Sequence, residues 1–283
     1  MPAHISAIIQ AAELLKVYQT ENLVLVDVSN GSNARTNYED KHLDGALFID
    51  LNTQLAYIKD DLSIGGIHPL PDIAHFSDVL TSLGISRKSH VVIYDDKNGT
   101  NAAARFWWML RAVGHKKVQV LNGGFKEAER IGFPTNSKKM VPIPSETYQV
   151  ERWGLPTADI FEVGKASEDG DHLAIDVRES KCFTGETEPI DLVAGHIPGA
   201  INVPFTRNLD EQDLFLPPIQ FKAEYQKIFD RRQIRNIVVH CGSGVTACHT
   251  ILAVAYAGLG MPKLYVGSWS EWSRNKRAVA KNV

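Results

Sequence analysis

The chain has 283 residues, 44% of them hydrophobic and 22% charged, with a formal net charge of −3 and a sequence pI near 6.4. That composition is typical of a soluble globular protein long enough for two cores of ordinary size, and it leaves little room for extensive disorder. The slightly acidic balance gives no electrostatic reason to expect nucleic acid or an anionic membrane as a partner.

The opening Met1-Pro2-Ala3-His4-Ile5 lacks the basic start and unbroken apolar run of a signal peptide. Leu23-Val24-Leu25-Val26-Asp27 predicts a strand ending in acid, and His42-Leu43-Asp44-Gly45-Ala46 leads into a second at Leu47-Phe48. A helical pattern follows, then the β-branched run Val91-Val92-Ile93-Tyr94-Asp95, then a strand at Val118-Gln119-Val120-Leu121 closed by Asn122-Gly123-Gly124. The same order then returns. Leu173-Ala174-Ile175-Asp176 repeats the first strand, and His196-Ile197-Pro198-Gly199-Ala200 repeats the turn before Ile201-Asn202-Val203. Ile237-Val238-Val239-His240-Cys241 matches 91–95, and Leu264-Tyr265-Val266 closes on Gly267. A period this long marks domain duplication rather than a solenoid. Strands alternating with helical stretches predict an α/β protein of tandem domains, each a mainly parallel sheet flanked by helices. Pro142 and Pro144 place a linker at 141–155, between an N-terminal domain over 1–140 and a C-terminal domain over 156–283.

The chemistry concentrates at the end of the run 237–240. There the chain enters Cys241-Gly242-Ser243-Gly244-Val245-Thr246-Ala247, and an apolar helix pattern continues to Leu259. Strand, cysteine, glycine-spaced turn and helix together aim backbone N–H groups and a helix N-terminus at one sulfur, which favours a nucleophilic thiolate. Glycines at 242 and 244 let the loop curl without Cβ clashes. Cysteine at a strand end is also among the residues most often simply buried. Ligands of parallel sheets sit beyond the carboxyl ends of the strands, where Cys241 falls. Aligning the halves sets Asp95 opposite Cys241, so the N-terminal copy is expected to be chemically silent and to close one wall of the cleft. Cys182, Cys241 and Cys248 are odd in number and lack metal-ligand spacing, so neither a disulfide framework nor a metal is expected, and a reducing cytoplasm suits them. The longest apolar run, 251–260, is too short to span a bilayer.

Asp176-Val177-Arg178, the run Gly195 to Ala200, the loop Cys241 to Ala247 and the run Gly267 to Trp272 carry a resemblance, joined in the first half by Trp107 to Arg111 and Leu121 to Gly124. Together they resemble the two-domain rhodanese and 3-mercaptopyruvate sulfurtransferase family along nearly the whole chain. The resemblance implies a sulfane sulfur carried as a persulfide on Cys241. It would pass from a small-molecule donor to cyanide, a thiol or a thioredoxin-like protein, with no bound cofactor. Backbone of Gly242, Gly244, Val245, Thr246 and Ala247 would surround the donor and the persulfide. The loop Cys-Gly-Ser-Gly-Val-Thr resembles that of the mercaptopyruvate enzymes, whereas Cys-Arg-Lys-Gly-Val-Thr resembles the thiosulfate users, which makes thiosulfate the second donor. Matching segments imply Ser243, His68 and Asp50 as a proton-handling set.

The sequence also departs from that pattern, because Cys182 and Ile190 stand where relatives commonly carry donor-binding arginines. Arg178 and Arg105 remain as candidate cations for the substrate, Arg178 being equally suited to brace the domain through buried ion pairs. Cys182, in the place of an arginine, is expected near Cys241, where a second thiol would resolve the persulfide or form a protective disulfide. Cys248, Trp107, Trp108, Trp269 and Trp272 read as core, and His196 as a turn residue. A cysteine phosphatase needs an arginine six residues after its nucleophile, and this chain has Ala247. A non-catalytic interaction module is the remaining rival, supported by the missing arginines and opposed by the retained cysteine and glycines. A monomer or weak dimer is expected.

Overall fold

Parallel strands organise both halves of the chain. The computed structural model describes residues 5–281. Contacts divide it into a first unit, reaching to Ala56 and resuming over Pro71–Gly154, and a second unit made of Tyr57–Leu70 and the chain from Leu155.

The first unit holds β1 (Ile8–Ile9), α1 (Ala11–Val17), β2 (Leu23–Asp27), α2 (Ala34–Asp40), β3 (His42–Leu43), β4 (Ala46–Phe48) and α3 (Leu51–Gln54). It continues with α4 (Ile73–Ser82), β5 (His90–Tyr94), α5 (Ala102–Ala112), β6 (Val118–Leu121), α6 (Gly124–Arg130) and β7 (Thr135–Asn136). Its parallel sheet runs β1-β6-β5-β2-β4, with β3 and β7 in a separate antiparallel pair. The second unit holds β8 (Thr157–Ala158), α7 (Ile160–Gly164), β9 (Leu173–Asp176), α8 (Ser180–Thr184), β10 (Ile201–Asn202) and α9 (Pro218–Phe229). β11 (Ile237–His240), α10 (Ala247–Tyr256), β12 (Lys263–Tyr265) and α11 (Ser268–Trp272) complete it, and its parallel sheet runs β10-β9-β11-β12-β8. Read from the opposite edge, that order repeats the first sheet strand for strand, so the duplication seen in the sequence is a duplication of topology.

The central strands explain their own composition. Val91 to Tyr94 in β5 and Ile237 to His240 in β11 are buried throughout, as expected of parallel strands covered on both faces. Each unit has its own core. Leu25, Val92, Tyr94 and Leu121 anchor the first, and Val163, Ala174, Tyr265 and Trp269 the second. Trp107, Trp108, Trp269, Trp272 and Cys248 are core residues, as their apolar surroundings in the sequence indicate.

Two segments fall outside a simple cut at 141–155. Residues 141–154 have no helix or strand yet belong to the first unit, because Tyr148 is buried there. Its hydroxyl meets His115 Nδ1 at 2.9 Å, its carbonyl accepts from Ser77 Oγ at 2.6 Å, and Arg87 lies over its ring. Gly154 N–H then donates to Ala112 O at 2.7 Å. Conversely, Tyr57–Leu70, inside the stretch expected for the N-terminal domain, joins the second unit as an irregular strap.

Candidate active site

β11 lies between β9 and β12, and the chain turns sharply where it ends, at Cys241. The side chain of Cys241 is 3% exposed, and the Gly244 N–H donates to its sulfur at 3.2 Å. Gly244 adopts φ +76°, and a Cβ there would overlap the Val266 carbonyl oxygen and stand 3.0 Å from its carbon. Only glycine therefore brings that amide to the sulfur. Gly242 is different, with open space around the position of its missing Cβ. Val245 and Ala247 are buried, Ser243 and Thr246 half-buried, and α10 starts at Ala247, its first amides closing on the turn: Cys248 N–H donates to Val245 O at 3.0 Å and His249 N–H to Thr246 O at 3.0 Å. Beneath the loop, Cys248 Sγ donates to Gly244 O at 3.6 Å. A sulfur that meets an amide in this way is suited to carry negative charge as bonds to it form and break.

The loop hangs on the segment after β12. Cys241 N–H donates to Ser268 Oγ at 3.2 Å, Trp269 N–H to Cys241 O at 3.0 Å, and Ser270 N–H to Gly242 O at 2.9 Å. The strap is tied to the same segment. Gly65 N–H donates to Glu271 Oε1 at 2.8 Å, Asn275 Nδ2 donates to Ser63 O at 2.8 Å, and Gly66, at φ +74°, packs its bare Cα against the Gly267 carbonyl. His68 follows two residues later, half-buried, and Tyr57 N–H closes the strap on Pro69 O at 3.1 Å. One short helix, α11, thus supports both the cysteine loop and the segment that carries the histidine.

The chain matches the Rhodanese-like domain family over residues 10–130 and again over 161–275. It belongs to the rhodanese-like family. A probable 3-mercaptopyruvate sulfurtransferase of Pseudomonas aeruginosa is 38% identical over 251 residues, 85% of this chain and 84% of that protein. A thiosulfate sulfurtransferase of Rattus norvegicus is 36% identical over 247 residues, covering 85% and 80%. The solved 3-mercaptopyruvate sulfurtransferase from Leishmania major superposes with a TM-score of 0.82 at 26% identity, covering 95% of this chain and 74% of that one. The fold is accordingly a pair of rhodanese-like domains, each a mainly parallel sheet flanked by helices.

In the first rhodanese-like unit the position of the cysteine is held by Asp95, fully buried. Its Oδ1 accepts from Lys97 N at 3.0 Å and Gly99 N at 2.7 Å, and its Oδ2 from Asn101 N at 3.2 Å and Ala103 N at 3.1 Å. Burial nevertheless raises its pKa, the four amides offsetting only part of the loss of water.

Several residues expected at the site have structural contacts of their own. Arg178 is a brace: Nη2 meets Asp176 Oδ2 at 2.7 Å and the Gly195 carbonyl at 2.7 Å, Nη1 meets Glu188 Oε2 at 3.2 Å, and the guanidinium lies over the Trp269 ring. These contacts give the cation the bracing role within the domain that its place after Asp176-Val177 also allows. Arg105 is fully buried on α5 in the first unit. Asp50, also in the first unit, caps α3, its Oδ1 accepting from Asn52 N at 2.9 Å and Thr53 N at 2.8 Å. That capping oxygen is a sufficient reason for an aspartate there. Cys182 is half-buried on α8 with its sulfur 3.8 Å from Thr187 Oγ1, and none of the three cysteines is in a disulfide. His196 is a turn residue, its Nδ1 2.7 Å from Phe183 O and its ring stacked on Phe183. Ile190 is exposed on a loop fastened by Asp191, which accepts from Ser270 Oγ at 3.0 Å and pairs with Arg274.

Sequence reasoning missed Ser268, Ser270, Glu271 and the strap from Ser63 to Gly66. A signal was present: the run Gly267 to Trp272 follows the strand beside the cysteine strand, so its polar residues had to lie near the loop. Among the described residues no group of His, Cys, Asp and Glu is arranged to hold a metal ion, and no helix is long and apolar enough to cross a membrane.

Proposed function

We propose that this protein is a sulfurtransferase that takes a sulfane sulfur from 3-mercaptopyruvate, holds it as a persulfide on Cys241 and delivers it to a thiol acceptor, with cyanide as an alternative. The observation that carries the reading is the Gly244 N–H aimed at Cys241 Sγ by a loop that admits only glycine at that point.

The Cys241 thiolate attacks the donor sulfur. Its C–S bond breaks, the electron pair goes to the pyruvate enolate, and the enolate takes a proton to give pyruvate. The enzyme keeps Cys241–S–S⁻, whose charge faces the loop amides from Gly242 to Ala247. An acceptor thiolate then attacks the outer sulfur, the S–S bond breaks and the Cys241 thiolate returns. Neither step calls for a bound cofactor. His68, on the strap of the same unit, and Ser243, beside the cysteine, are placed in the proton-handling role for the enolate. Asp50 joins the set through its family segment, and its Oδ1 also caps α3.

Donor choice rests on charge. Arg178 is engaged by Asp176, Glu188 and the Gly195 carbonyl, and Arg274 through Nη1 by Asp191 and the Ser270 carbonyl, so each of these two guanidiniums already faces a carboxylate, which disfavours the dianion thiosulfate. Mercaptopyruvate has one negative charge and a carbonyl for Ser243. Thiosulfate, the donor in the rat relative's name, is the second reading. The acceptor is assigned to small thiols or a thioredoxin-like protein, and the compartment to the cytoplasm, whose reducing poise keeps three thiols reduced.

The test is pyruvate release from 3-mercaptopyruvate with dithiothreitol, beside thiocyanate formation from thiosulfate and cyanide, with Cys241→Ser as control. A higher kcat/KM for mercaptopyruvate and a dead control are expected. Higher efficiency with thiosulfate would reverse the donor assignment, and no turnover with either would leave a non-catalytic interaction module.

A further inference from the structure

The strap raises a question of its own, because residues 57–70 leave the first unit, pack on the second and return. They form no helix or strand, so the sheet holds them through no ladder. Three contacts tie them to the segment after β12: Gly65 N–H on Glu271 Oε1 at 2.8 Å, Ser63 O on Asn275 Nδ2 at 2.8 Å, and the bare face of Gly66 on Gly267. Of these, Glu271 supplies the one charged acceptor. Its side chain folds back over Gly267, and the Asn275 amide that reaches Ser63 also donates to the Glu271 carbonyl at 2.8 Å. The same turn of helix, through Ser268, Trp269 and Ser270, holds Cys241 and Gly242.

We infer that Glu271 is a positioning residue for sulfur transfer: by accepting the Gly65 amide it fixes the strap, and hence His68, against the helix that also fixes Cys241. The inference rests on the reading that His68 serves the Cys241 reaction. Glu271 itself touches neither donor nor sulfur. Its carboxylate matters as an acceptor of one N–H, so glutamine, whose amide oxygen accepts equally, replaces it, whereas alanine does not. Freed from that bond, a segment without secondary structure gains local freedom, and a reacting group displaced by about 1 Å loses on the order of a hundredfold in rate.

The experiment uses the full chain in four variants, E271A, E271Q, H68A and E271A/H68A, with N275A as a milder release of the same strap. Each is measured for kcat and KM in pyruvate release from 3-mercaptopyruvate and for amide exchange over 57–70. H68A and E271A are each expected to lose about tenfold or more in kcat/KM, and the double variant no more than the worse single, as two residues acting through one contact should behave. E271Q is expected to stay within about threefold of wild type, its oxygen preserving the bond. Exchange over 57–70 should rise in E271A, less in N275A, and stay unchanged in H68A. Additive losses in the double variant, E271Q as impaired as E271A, or lost activity in E271A without faster exchange in the strap would each overturn the inference. The two readings separate cleanly. H68A at wild-type rate removes the role of His68 and with it this inference, whereas an impaired H68A beside an unimpaired E271A removes the role of Glu271 alone.

Discussion

Gly242 and Gly244 stand two residues apart in one loop, and the structure assigns them unequal costs of substitution. At Gly244 an alanine must adopt φ +76° and place its Cβ onto the Val266 carbonyl, with Val266 C 3.0 Å and Cα 3.2 Å away. The left-handed backbone costs about 1–2 kcal/mol for a residue with a Cβ. Relieving the overlap against backbone that cannot rotate away costs about 1–3 kcal/mol more, as other overpacked sites do. The loop yields first, because its amide is held to the sulfur by one bond of 3.2 Å whereas Val266 belongs to the segment leaving the sheet. Losing one amide from a developing anion costs about 10²–10³ in kcat. Gly244→Ala should therefore lower stability of the second unit by roughly 2–5 kcal/mol and kcat/KM for mercaptopyruvate about a hundredfold or more. Gly242→Ala meets nothing within 4 Å and has no positive φ, so its stability should change by less than about 1 kcal/mol and its activity by less than about threefold. Urea denaturation followed by amide exchange in second-unit peptides gives the first quantity, and pyruvate release the second. Equal effects of the two substitutions, or a Gly244→Ala enzyme at wild-type rate, would show that the amide at 244 does not serve the sulfur.

Arg178→Ala strands Asp176 and Glu188, whose side chains are 0% and 9% exposed, so a loss of about 3–5 kcal/mol is expected in urea denaturation. A folded variant of unchanged stability with a raised KM would restore Arg178 to substrate binding. Burial pushes the Asp27 carboxyl up to about 6, aided by the nearby Asp95 and opposed by hydrogen bonds from Ser29 and Tyr94. The fold thus prefers protonated Asp27, a stabilisation complete below the ordinary carboxylate range and lost as pH rises through about 6. The span corresponds to about 3 kcal/mol, so Asp27→Asn should stabilise the first unit by up to that amount at pH 8 and by little at pH 4. Identical stabilities of the two proteins at pH 8, read by exchange in first-unit peptides, would count against that carboxyl being buried in its charged form.

The duplication, the order of strands and the cysteine loop were legible because they are written as local patterns: β-branched runs, an acid at each strand end, glycines at fixed offsets. Partners were not. Arg178 and Arg105 look alike in a sequence, and only the fold brings Asp176, Glu188 and the Gly195 carbonyl around one of them. The strap was hidden for a related reason. Tyr57 to Leu70 has no periodicity to say which sheet it covers, and its one clue, Gly65-Gly66, becomes meaningful only when Gly66 is seen against Gly267. Asp50 matches a family segment, and the fold adds a second reason for an aspartate before Leu51-Asn52-Thr53, the start of α3, which its place in the sequence does not reveal by itself.

The first unit builds the same turn around a different side chain. Both central strands end in a loop that curls back on the first side chain after the strand, and both curls depend on backbone packed where a Cβ would not fit, at Gly124 against the Asp95 carbonyl and at Gly244 against Val266. In the first unit the convergent amides already have an anion, for the Asp95 carboxylate takes four of them and is sealed from solvent. A carboxylate brings its two oxygens to those amides permanently, through bonds that no acceptor can break. Cysteine in the corresponding place presents one sulfur, which accepts the Gly244 amide at 3.2 Å, where the carboxylate accepts four. The two turns thus differ less in their backbone than in the side chain they enclose: a carboxylate that engages four amides in one, and in the other a single sulfur whose proposed chemistry requires its bonds to form and break.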